Sequence, residues 1–343
     1  MKRPQALLEP AGSIKLDDYI VDIAWSDDAQ QLAVAGGEGK VFTLSRTAGT
    51  IAARELGEHG LGTLAVAWQP KTNRFVSSGQ DGELRLYDAA DGAVVRRQRP
   101  AKSWTTALAF SADGRHFATA AGKQVSLWSA DLDLEQAFAP LSSTVAGLCF
   151  DKPARDLAAA INGGVVVYRQ EAPQFPLRHY PWSAPCLAPC FSPNGKFLAT
   201  GTQDGSVHFW YLATGRDSQM RGYPGRVEQL SWSGDSKYLA TAAADTVVVW
   251  DFSGKGPEGS RPEQLRGHTE RIACLAFQPN GNFLVTAGLD WRVSLWLPGK
   301  SPAALDAHLT DSEPSCLRWS PDGHYVAVGE RHGKLSLYEV VRL

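Results

Sequence analysis

Short apolar runs alternate with turn-forming residues along the whole chain, and this pattern recurs about every 42 residues. An aromatic residue marks the same place in each recurrence, at Trp25, Trp68, Phe110, Phe150, Phe191, Trp232, Phe277 and Trp319. Repeats of this length are typical of propellers and solenoids, whose units are too small to bury their own apolar faces and therefore stack on their neighbours. We expect eight units and a functional surface that the units share.

The seventh unit shows the predicted elements most clearly. Its apolar runs at 271–277, 283–286 and 293–296 are separated by a Pro-Asn-Gly turn at 279–281 and by a turn around Asp290. Runs rich in β-branched and aromatic residues between such turns predict consecutive antiparallel strands. A fourth, outer strand follows a variable connection, as at 93–96 in the second unit. Four strands in each of eight units predict an all-β, eight-bladed β-propeller of four-stranded antiparallel blades.

These residues resemble the WD-repeat (WD40) family over roughly residues 17 to 343. The resemblance is carried by Gly267-His268, Trp250-Asp251, Tyr87-Asp88 and the turn aspartates Asp81, Asp204 and Asp290. It implies that each blade is held by a buried histidine, a hydroxyl, the turn aspartate and a third-strand tryptophan. One full match and one with Tyr for Trp are present: His268, Thr286, Asp290, Trp296, and His59, Ser77, Asp81, Tyr87.

A histidine, a hydroxyl and an aspartate also invite a catalytic-triad interpretation. The same set occurs twice with the same spacing, which is expected of blade architecture and not of a catalytic site. We therefore expect no catalytic residues in these sets. In the fifth and sixth units the histidine position holds Trp182 and Tyr223 instead.

The ends of the chain predict how the ring closes. After the run at 335–338 only five residues follow, too few for a turn and an outer strand. An open ring would leave two unpaired sheet edges. We predict that residues 5–16 form the outer strand of the last blade, which closes a single propeller domain over residues 1–343.

Composition narrows the range of partners. Lys and Arg total 34 against 36 Asp and Glu, so there is no basic surface for nucleic acid or anionic lipid. No apolar run has the length of a signal peptide core or a membrane span, and we expect a cytoplasmic protein. The five cysteines lie in apolar, strand-like runs, where we expect reduced thiols and no disulfide: Cys149, Cys186, Cys190, Cys274 and Cys316.

Other motifs that could carry a metal site or a phosphate-binding loop match their templates poorly. Cys186 and Cys190 suggest a metal site with His179, but four residues along a strand span roughly 13 Å, too far for two thiolates that must each lie about 2.3 Å from one zinc ion. Gly36 to Lys40 look like a phosphate loop without its Ser or Thr. We expect no metal and no cofactor. The alternative function is a small-ligand or cofactor-binding propeller enzyme that uses the central channel, as quinone-binding propellers do.

Three of the eleven tryptophans do not fit the repeat. We name the strands of a unit a to d from the centre outward. Trp104 and Trp182 lie in connections from strand d of one unit to strand a of the next, and Trp291 lies in a b–c turn. Strands reverse direction at each turn, so both kinds of connection leave the sheets at one end, which we call the rim. The same connections carry Tyr19, Tyr223, Arg226, Arg271 and Arg331.

Trp, Tyr and Arg are the residues most enriched at binding hot spots. The prediction is a non-enzymatic scaffold that binds a protein or peptide on the rim, as a monomeric propeller within a hetero-complex. Structural roles stay open for some residues: Trp182 and Tyr223 are placed to pack on Trp210 and Trp250, and Trp104 is placed to plug the channel. Trp291 replaces the usual turn glycine, where a large ring does nothing for the turn, so there we favour binding.

Overall fold

A computed structural model describes residues 6–47, 50–100, 103–169, 176–254 and 256–343. Gln5, the first residue of the predicted closing strand, lies outside this range. The described chain folds into 30 β-strands. Within those ranges there is no helix with the length and apolar character needed to traverse a bilayer.

The first three units each form one antiparallel sheet whose strands pair in chain order. The strands of the first unit are β2 (Ile20–Trp25), β3 (Gln31–Gly36), β4 (Lys40–Thr47) and β5 (Thr50–Glu58). Those of the second are β6 (Thr63–Trp68), β7 (Arg74–Gly79), β8 (Leu84–Asp88) and β9 (Val94–Gln98). Those of the third are β10 (Thr105–Phe110), β11 (His116–Ala121), β12 (Gln124–Ser129) and β13 (Leu134–Ala137).

The fourth and fifth units share one six-stranded sheet. Its strands are β14 (Gly147–Phe150), β15 (Asp156–Arg169), β16 (Pro176–Phe191), β17 (Phe197–Thr202), β18 (Val207–Tyr211) and β19 (Asp217–Met220). The two long strands serve two roles each. β15 contains the second and third strands of the fourth unit, and its backbone turns at Gly163 and Gly164, which both have positive φ. β16 runs from the outer strand of the fourth unit into the inner strand of the fifth.

This sheet corrects the predicted blade count. Counting each hydrogen-bonded sheet of the described chain as one blade, the propeller has seven blades, and the prediction of eight separate four-stranded blades is wrong. The reason is the connection between the fourth and fifth units, where a loop was expected. It is extended and paired on both sides, since Asn162 pairs with Pro185 and Cys186 pairs with Thr202.

The last three units again form four-stranded sheets. The sixth unit consists of β20 (Gln229–Trp232), β21 (Tyr238–Ala243), β22 (Thr246–Asp251) and β23 (Glu263–Arg266). The seventh consists of β24 (Ile272–Phe277), β25 (Leu284–Gly288), β26 (Arg292–Trp296) and β27 (Asp306–Leu309). The eighth has β28 (Pro314–Trp319), β29 (Tyr325–Glu330) and β30 (Lys334–Arg342), and its fourth strand is β1 (Ala6–Lys15).

The pairing of β1 with β30 confirms that an N-terminal strand completes the last sheet. The register runs antiparallel from Ala6 opposite Arg342 to Lys15 opposite Lys334. The side chains of Ala6 and Leu8 are buried, and the Leu8 amide donates to Asp306 of the preceding unit at 2.9 Å. The ring therefore closes non-covalently, through two ends of the chain that lie side by side.

The core lies between neighbouring sheets. One buried cluster joins the seventh and eighth units through Val285, Leu295, Leu317 and Val328, together with Leu8 of the closing strand. The marker aromatics Trp25, Trp68, Trp232, Phe277 and Trp319 are all buried in such clusters. First strands of successive units contact one another around the centre, and β28 of the last unit contacts β2 of the first. Each sheet is thus stabilised by its neighbours, as the repeat length predicts.

Candidate functional site: an aromatic arc on the rim

Backbone hydrogen bonds bring the d–a connection and the b–c turn of a unit together. Gly37 donates to the carbonyl of Tyr19 in the first unit at 2.9 Å, and Leu289 donates to that of Arg271 in the seventh at 2.8 Å. In the eighth unit Arg331 donates to the carbonyl of Glu313 at 3.0 Å. Both kinds of connection therefore lie at one end of the sheets, and the rim is built from them.

The hydrogen-bonded set implied by the family resemblance is present in the seventh unit. Nδ1 of His268 lies 3.0 Å from the Asp290 carboxylate, and Nε2 lies 2.7 Å from the hydroxyl of Thr286. Trp296 donates its indole N–H to the same hydroxyl at 2.9 Å. Burial alone would raise the pKa of Asp290, but hydrogen bonds from His268 and the amide of Thr269 hold it below its usual value. The set ties the d–a connection, which carries His268, and the b–c turn, which carries Asp290, to strands β25 and β26.

The second unit repeats the arrangement. His59 lies 2.9 Å from Asp81 and 2.7 Å from the hydroxyl of Ser77. Arg85 binds the same aspartate at 3.1 Å, and the ring of Tyr87 stacks on Phe75. The His59 side chain is fully buried. The Tyr87 hydroxyl itself has no hydrogen-bond partner among the described residues. The two sets hold the strands and connections of one blade together, and both histidines face the interior.

Two of the predicted rim residues belong to the interior as well. The hydroxyl of Tyr223 lies 2.7 Å from that of Thr241 and accepts the indole N–H of Trp250 at 2.7 Å. Burial raises the pKa of Tyr223 to about 12. Trp182 stacks on His208, which in turn contacts Trp210 edge-on. Both rings occupy the histidine position of their unit, an alternative that the sequence left open.

The other predicted aromatic residues are exposed. Trp104 is 53% exposed, Trp291 45% and Tyr19 46%. Two leucines that the sequence reasoning missed join them: Leu61 is 67% exposed and Leu309 69%. Each is a single large apolar residue among polar and glycine residues, in a d–a connection or at its start. This pattern in the sequence could have indicated an exposed apolar side chain. Leu309 pairs with Arg292, the residue after Trp291.

The exposed apolar residues follow one another around the ring. Trp291 and Leu309 belong to the seventh unit, Tyr19 to the first, Leu61 to the second and Trp104 to the third. Arg331 lies between them on the eighth unit, which ring closure places beside the first. We call these six residues the exposed arc. The arc crosses the closure seam, so residues from both ends of the chain contribute to it.

The predicted arginines divide into two groups. Arg331 and Tyr19 line one open depression of about 480 Å³, whose floor includes Ile20, Val21 and Ser315. The Arg331 guanidinium has no ion-pair partner in the part of the chain that the structure describes.

Arg226 and Arg271 line another depression, of about 470 Å³, between the sixth and seventh units. Both pair with Glu228, at 3.1 and 3.2 Å. Their charge is thus compensated within the protein, whereas that of Arg331 is available to a ligand.

Trp291 has an unfavourable backbone conformation. Its φ is 62°, in the left-handed region that disfavours residues with a Cβ atom. At the equivalent turn position three other units have glycine, with φ of 75° at Gly82, 75° at Gly205 and 77° at Gly333. The seventh unit therefore has a large, exposed ring at a position where these three units have glycine, the residue that suits the turn.

An ion pair joins the first strands of the last and first units, which contact each other near the centre of the ring. Arg318 of the last unit pairs with Asp22 of the first at 2.8 Å. Burial raises the pKa of Asp22 despite this contact. Among the described residues no three His, Cys, Asp or Glu side chains are grouped as metal ligands. Burial raises the pKa of both Cys186 and Cys190 to about 12, which disfavours the thiolates that a zinc site requires.

Comparisons with known proteins agree with the repeat pattern. Six stretches match the family described as "WD domain, G-beta repeat", at residues 53–88, 95–129, 178–211, 214–251, 259–296 and 299–339. Together they cover more than half of the chain. The unmatched residues 130–177 contain most of the fourth unit, which keeps no turn aspartate.

Similar proteins and structures are also found. WD repeat-containing protein slp1 of Schizosaccharomyces pombe is 24% identical over 74% of this chain and 53% of its own length. WD repeat-containing protein 1 of Xenopus tropicalis is 22% identical over 58% of this chain and 35% of its own. The chain thus spans about half, or less, of these relatives. The crystal structure of the computationally designed Ika8 protein shares the fold, with a TM-score of 0.82 and 21% identity over 96% of this chain and 99% of that one.

Proposed function

Because the chain belongs to the WD-repeat family, we propose that it is a protein-interaction scaffold that captures a protein or peptide segment on the exposed arc of its rim. WD-repeat propellers act in general as non-enzymatic interaction platforms, and the named relatives are WD repeat-containing proteins. The proposal includes the absence of an enzymatic activity, a cytoplasmic location and a monomeric propeller within a hetero-complex.

The observation that carries the proposal is the conformation of Trp291. A bulky residue at positive φ costs folding free energy, on the order of 1 kcal/mol or more. The ring is 45% exposed, so a large part of its apolar surface faces solvent and not the blade. A strained, exposed aromatic ring is typical of a site kept for binding.

The surroundings of Trp291 fit an aromatic anchor. Leu309 lies beside it and adds apolar area, and the backbone carbonyl of Trp291 accepts two bonds from Thr310, at 2.8 and 3.0 Å, that fix the turn. Farther along the arc, Arg331 offers an uncompensated charge beside the Tyr19 ring. Aromatic anchors flanked by an arginine are the residues that dominate binding energy at protein interfaces.

The test is capture of partners from a native lysate of the source organism by the immobilised protein. We expect a variant with Trp104→Ala and Trp291→Gly to lose the proteins that the wild type captures without a lower melting temperature. The matched control is Leu134→Ala, which removes an exposed apolar side chain from the outer strand β13, away from the arc. Equal capture by the double variant and the wild type would refute the site.

A second variant locates the surface on the rim. Arg331→Ala should weaken capture, whereas Arg226→Ala should leave it nearly unchanged, because Arg226 already pairs with Glu228. If Arg226→Ala weakened capture more than Arg331→Ala did, the binding surface would lie on the sixth and seventh units instead.

A further inference from the structure

We infer that the opposite end of the propeller carries a second binding site, a pocket for a small organic anion between the fourth and fifth units. Its main lining residues are Arg155, Arg169, Arg178, Tyr180, Phe191 and Leu212, which we call the anion pocket. The a–b turns at 151–155 and 193–195 and the c–d turn at 212–215 lie at the end of the sheets away from the rim, and residues of all three lie in the pocket lining. The inference is therefore independent of the exposed arc.

The pocket has the size of a ligand site. Its volume is about 460 Å³, within the range of small-molecule pockets in proteins. The side chain of Tyr180 is buried, and Phe191 and Leu212 are half-buried, so one wall is apolar. This wall suits the aromatic or aliphatic body of a ligand.

The acidic residues of the pocket are already engaged. Asp156 pairs with Arg169 at 3.1 Å. Asp151 accepts the amides of Arg155 and Asp156, at 2.7 and 2.9 Å. Asp156 is thus neutralised by Arg169, whereas Asp151 keeps its negative charge. Three arginines line the pocket against these two carboxylates, so an excess of positive charge remains.

Two arginines of the pocket keep that charge. Arg155 and Arg178 are exposed, and neither has a carboxylate partner within the described ranges. The guanidinium of Arg178 lies over the Tyr180 ring, 5.0 Å from its centroid, and a methyl group at Gly215 would collide with it. The guanidinium thus lies close against the turn at Gly215, whose φ of 72° suits glycine, at the pocket mouth.

This arrangement defines the chemistry of the ligand. Guanidinium groups bind the oxyanions of carboxylates and phosphates through paired, charge-assisted hydrogen bonds. The apolar wall adds affinity only for a ligand that carries carbon beyond the anionic group. The ligand class is therefore an oxyanion, carboxylate or phosphate monoester, on a small apolar body.

The test uses four probes with the full chain: phenyl phosphate, benzoate, the neutral benzyl alcohol and inorganic phosphate, each titrated calorimetrically. We expect saturable binding of phenyl phosphate or benzoate, and the tighter of the two identifies the oxyanion. Benzyl alcohol and inorganic phosphate, which each lack one half of the ligand, should bind at least tenfold more weakly.

Variants locate the site. Arg155→Gln combined with Arg178→Gln should weaken the better anion about tenfold or more, since two charge-assisted contacts are lost. The matched control is Arg115→Gln, because Arg115 follows a positive-φ residue in the third unit as Arg155 does in the fourth, and it pairs with Asp113. Both sets of substitutions are on the surface and should leave the melting temperature unchanged.

Three outcomes would overturn the inference. They are no saturable binding of either aromatic anion, equal binding of benzyl alcohol, and equal affinity in the double variant and the wild type. None of them bears on the exposed arc, whose test reads out protein capture on the other end of the ring.

Discussion

The indole of Trp182 stacks on the imidazole of His208, with ring centroids 3.8 Å apart and planes 24° apart. Nε1 of Trp182 and Nδ1 of His208 are buried and have no hydrogen-bond partner among the described residues. Nε2 of His208 lies 3.0 Å from the carboxylate of Asp217, an ion-pair distance without the geometry of a hydrogen bond. Burial lowers the pKa of His208, although Asp217 opposes the shift. An aromatic stack thus replaces the hydrogen-bonded set in the fifth unit.

This stack predicts a specific pH dependence. The pKa of His208 in the folded protein lies below its ordinary value of 6.5, so the unfolded chain binds the proton more tightly. Its contribution to stability is complete above pH 6.5 and is lost as the pH falls below that value. We expect His208→Phe to reduce the loss of unfolding free energy between pH 7.5 and 5, measured by urea denaturation.

The control for that experiment is His59→Phe. His59 is also buried with a lowered pKa, but it is bonded to Asp81 and Ser77. Because its pKa is lowered too, its replacement should also flatten the pH profile. Unlike His208→Phe, it should lower stability at every pH, because two buried groups lose their partner. An unchanged pH profile in His208→Phe would show that this histidine does not titrate on unfolding as argued.

A second prediction concerns the set in the seventh unit. Thr286→Val removes the hydroxyl that serves both His268 and Trp296, which leaves two buried nitrogens without a partner. We expect a loss of about 2 kcal/mol or more in the free energy of unfolding. Ser294→Ala is the matched control, since Ser294 lies opposite Thr286 and its buried hydroxyl has no partner in the described chain. Ser294→Ala should leave the free energy of unfolding unchanged or raise it. Equal losses in the two variants would contradict the assigned role.

A third prediction separates backbone strain from side-chain exposure at position 291. Trp291→Gly should raise the free energy of unfolding by about 1 kcal/mol, because glycine adopts positive φ without strain. Trp291→Ala keeps a Cβ atom at the same φ of 62° and should give little or none of this gain. Thermal unfolding of the three proteins measures the difference. A less stable glycine variant would mean that the indole supports the fold, and the argument for a binding role would fail.

A fourth prediction tests ring closure. Leu8 is buried between the last two sheets, so Leu8→Ala should cost about 2 to 5 kcal/mol of unfolding free energy. Ser13→Ala changes an exposed position of the same strand and should have an effect within about 0.5 kcal/mol. Deletion of residues 1–16 should lower the melting temperature by many degrees. Wild-type stability of the deletion would show that β1 is not needed to close the ring.

Much of the architecture could be predicted because it repeats. The period of the marker aromatics, the turn residues and the two hydrogen-bonded sets all recur, so each unit supports the interpretation of the others. Ring closure followed from the missing fourth strand of the last unit, and the pairing of Ala6 with Arg342 confirms it. The prediction that the fourth and fifth units form separate blades was wrong. The pairing of Asn162 with Pro185 depends on backbone geometry, which a periodic sequence pattern does not report.

The candidate site was predictable only in part. Sequence register identified Trp104, Trp182 and Trp291 as residues that the repeat does not explain, and it placed them on connections that lead to one end of the sheets. It left both packing and binding open for Trp182, because an indole in the histidine position can either pack inward or project outward. It also missed Leu61 and Leu309, whose exposure depends on how far neighbouring units reach.

By itself, the sequence determined the repeat, the strand order within most units, the internal hydrogen-bonded sets and the strand that closes the ring. These features depend on local periodicity and on residue types that each unit repeats. Only the tertiary structure decided which aromatic rings are exposed, which arginines are already paired, and that the fourth and fifth units share one sheet. The physical reason is that exposure and pairing are set by contacts between units distant in the chain. Arg331 and Tyr19, for example, line one depression although they lie 312 positions apart in the sequence.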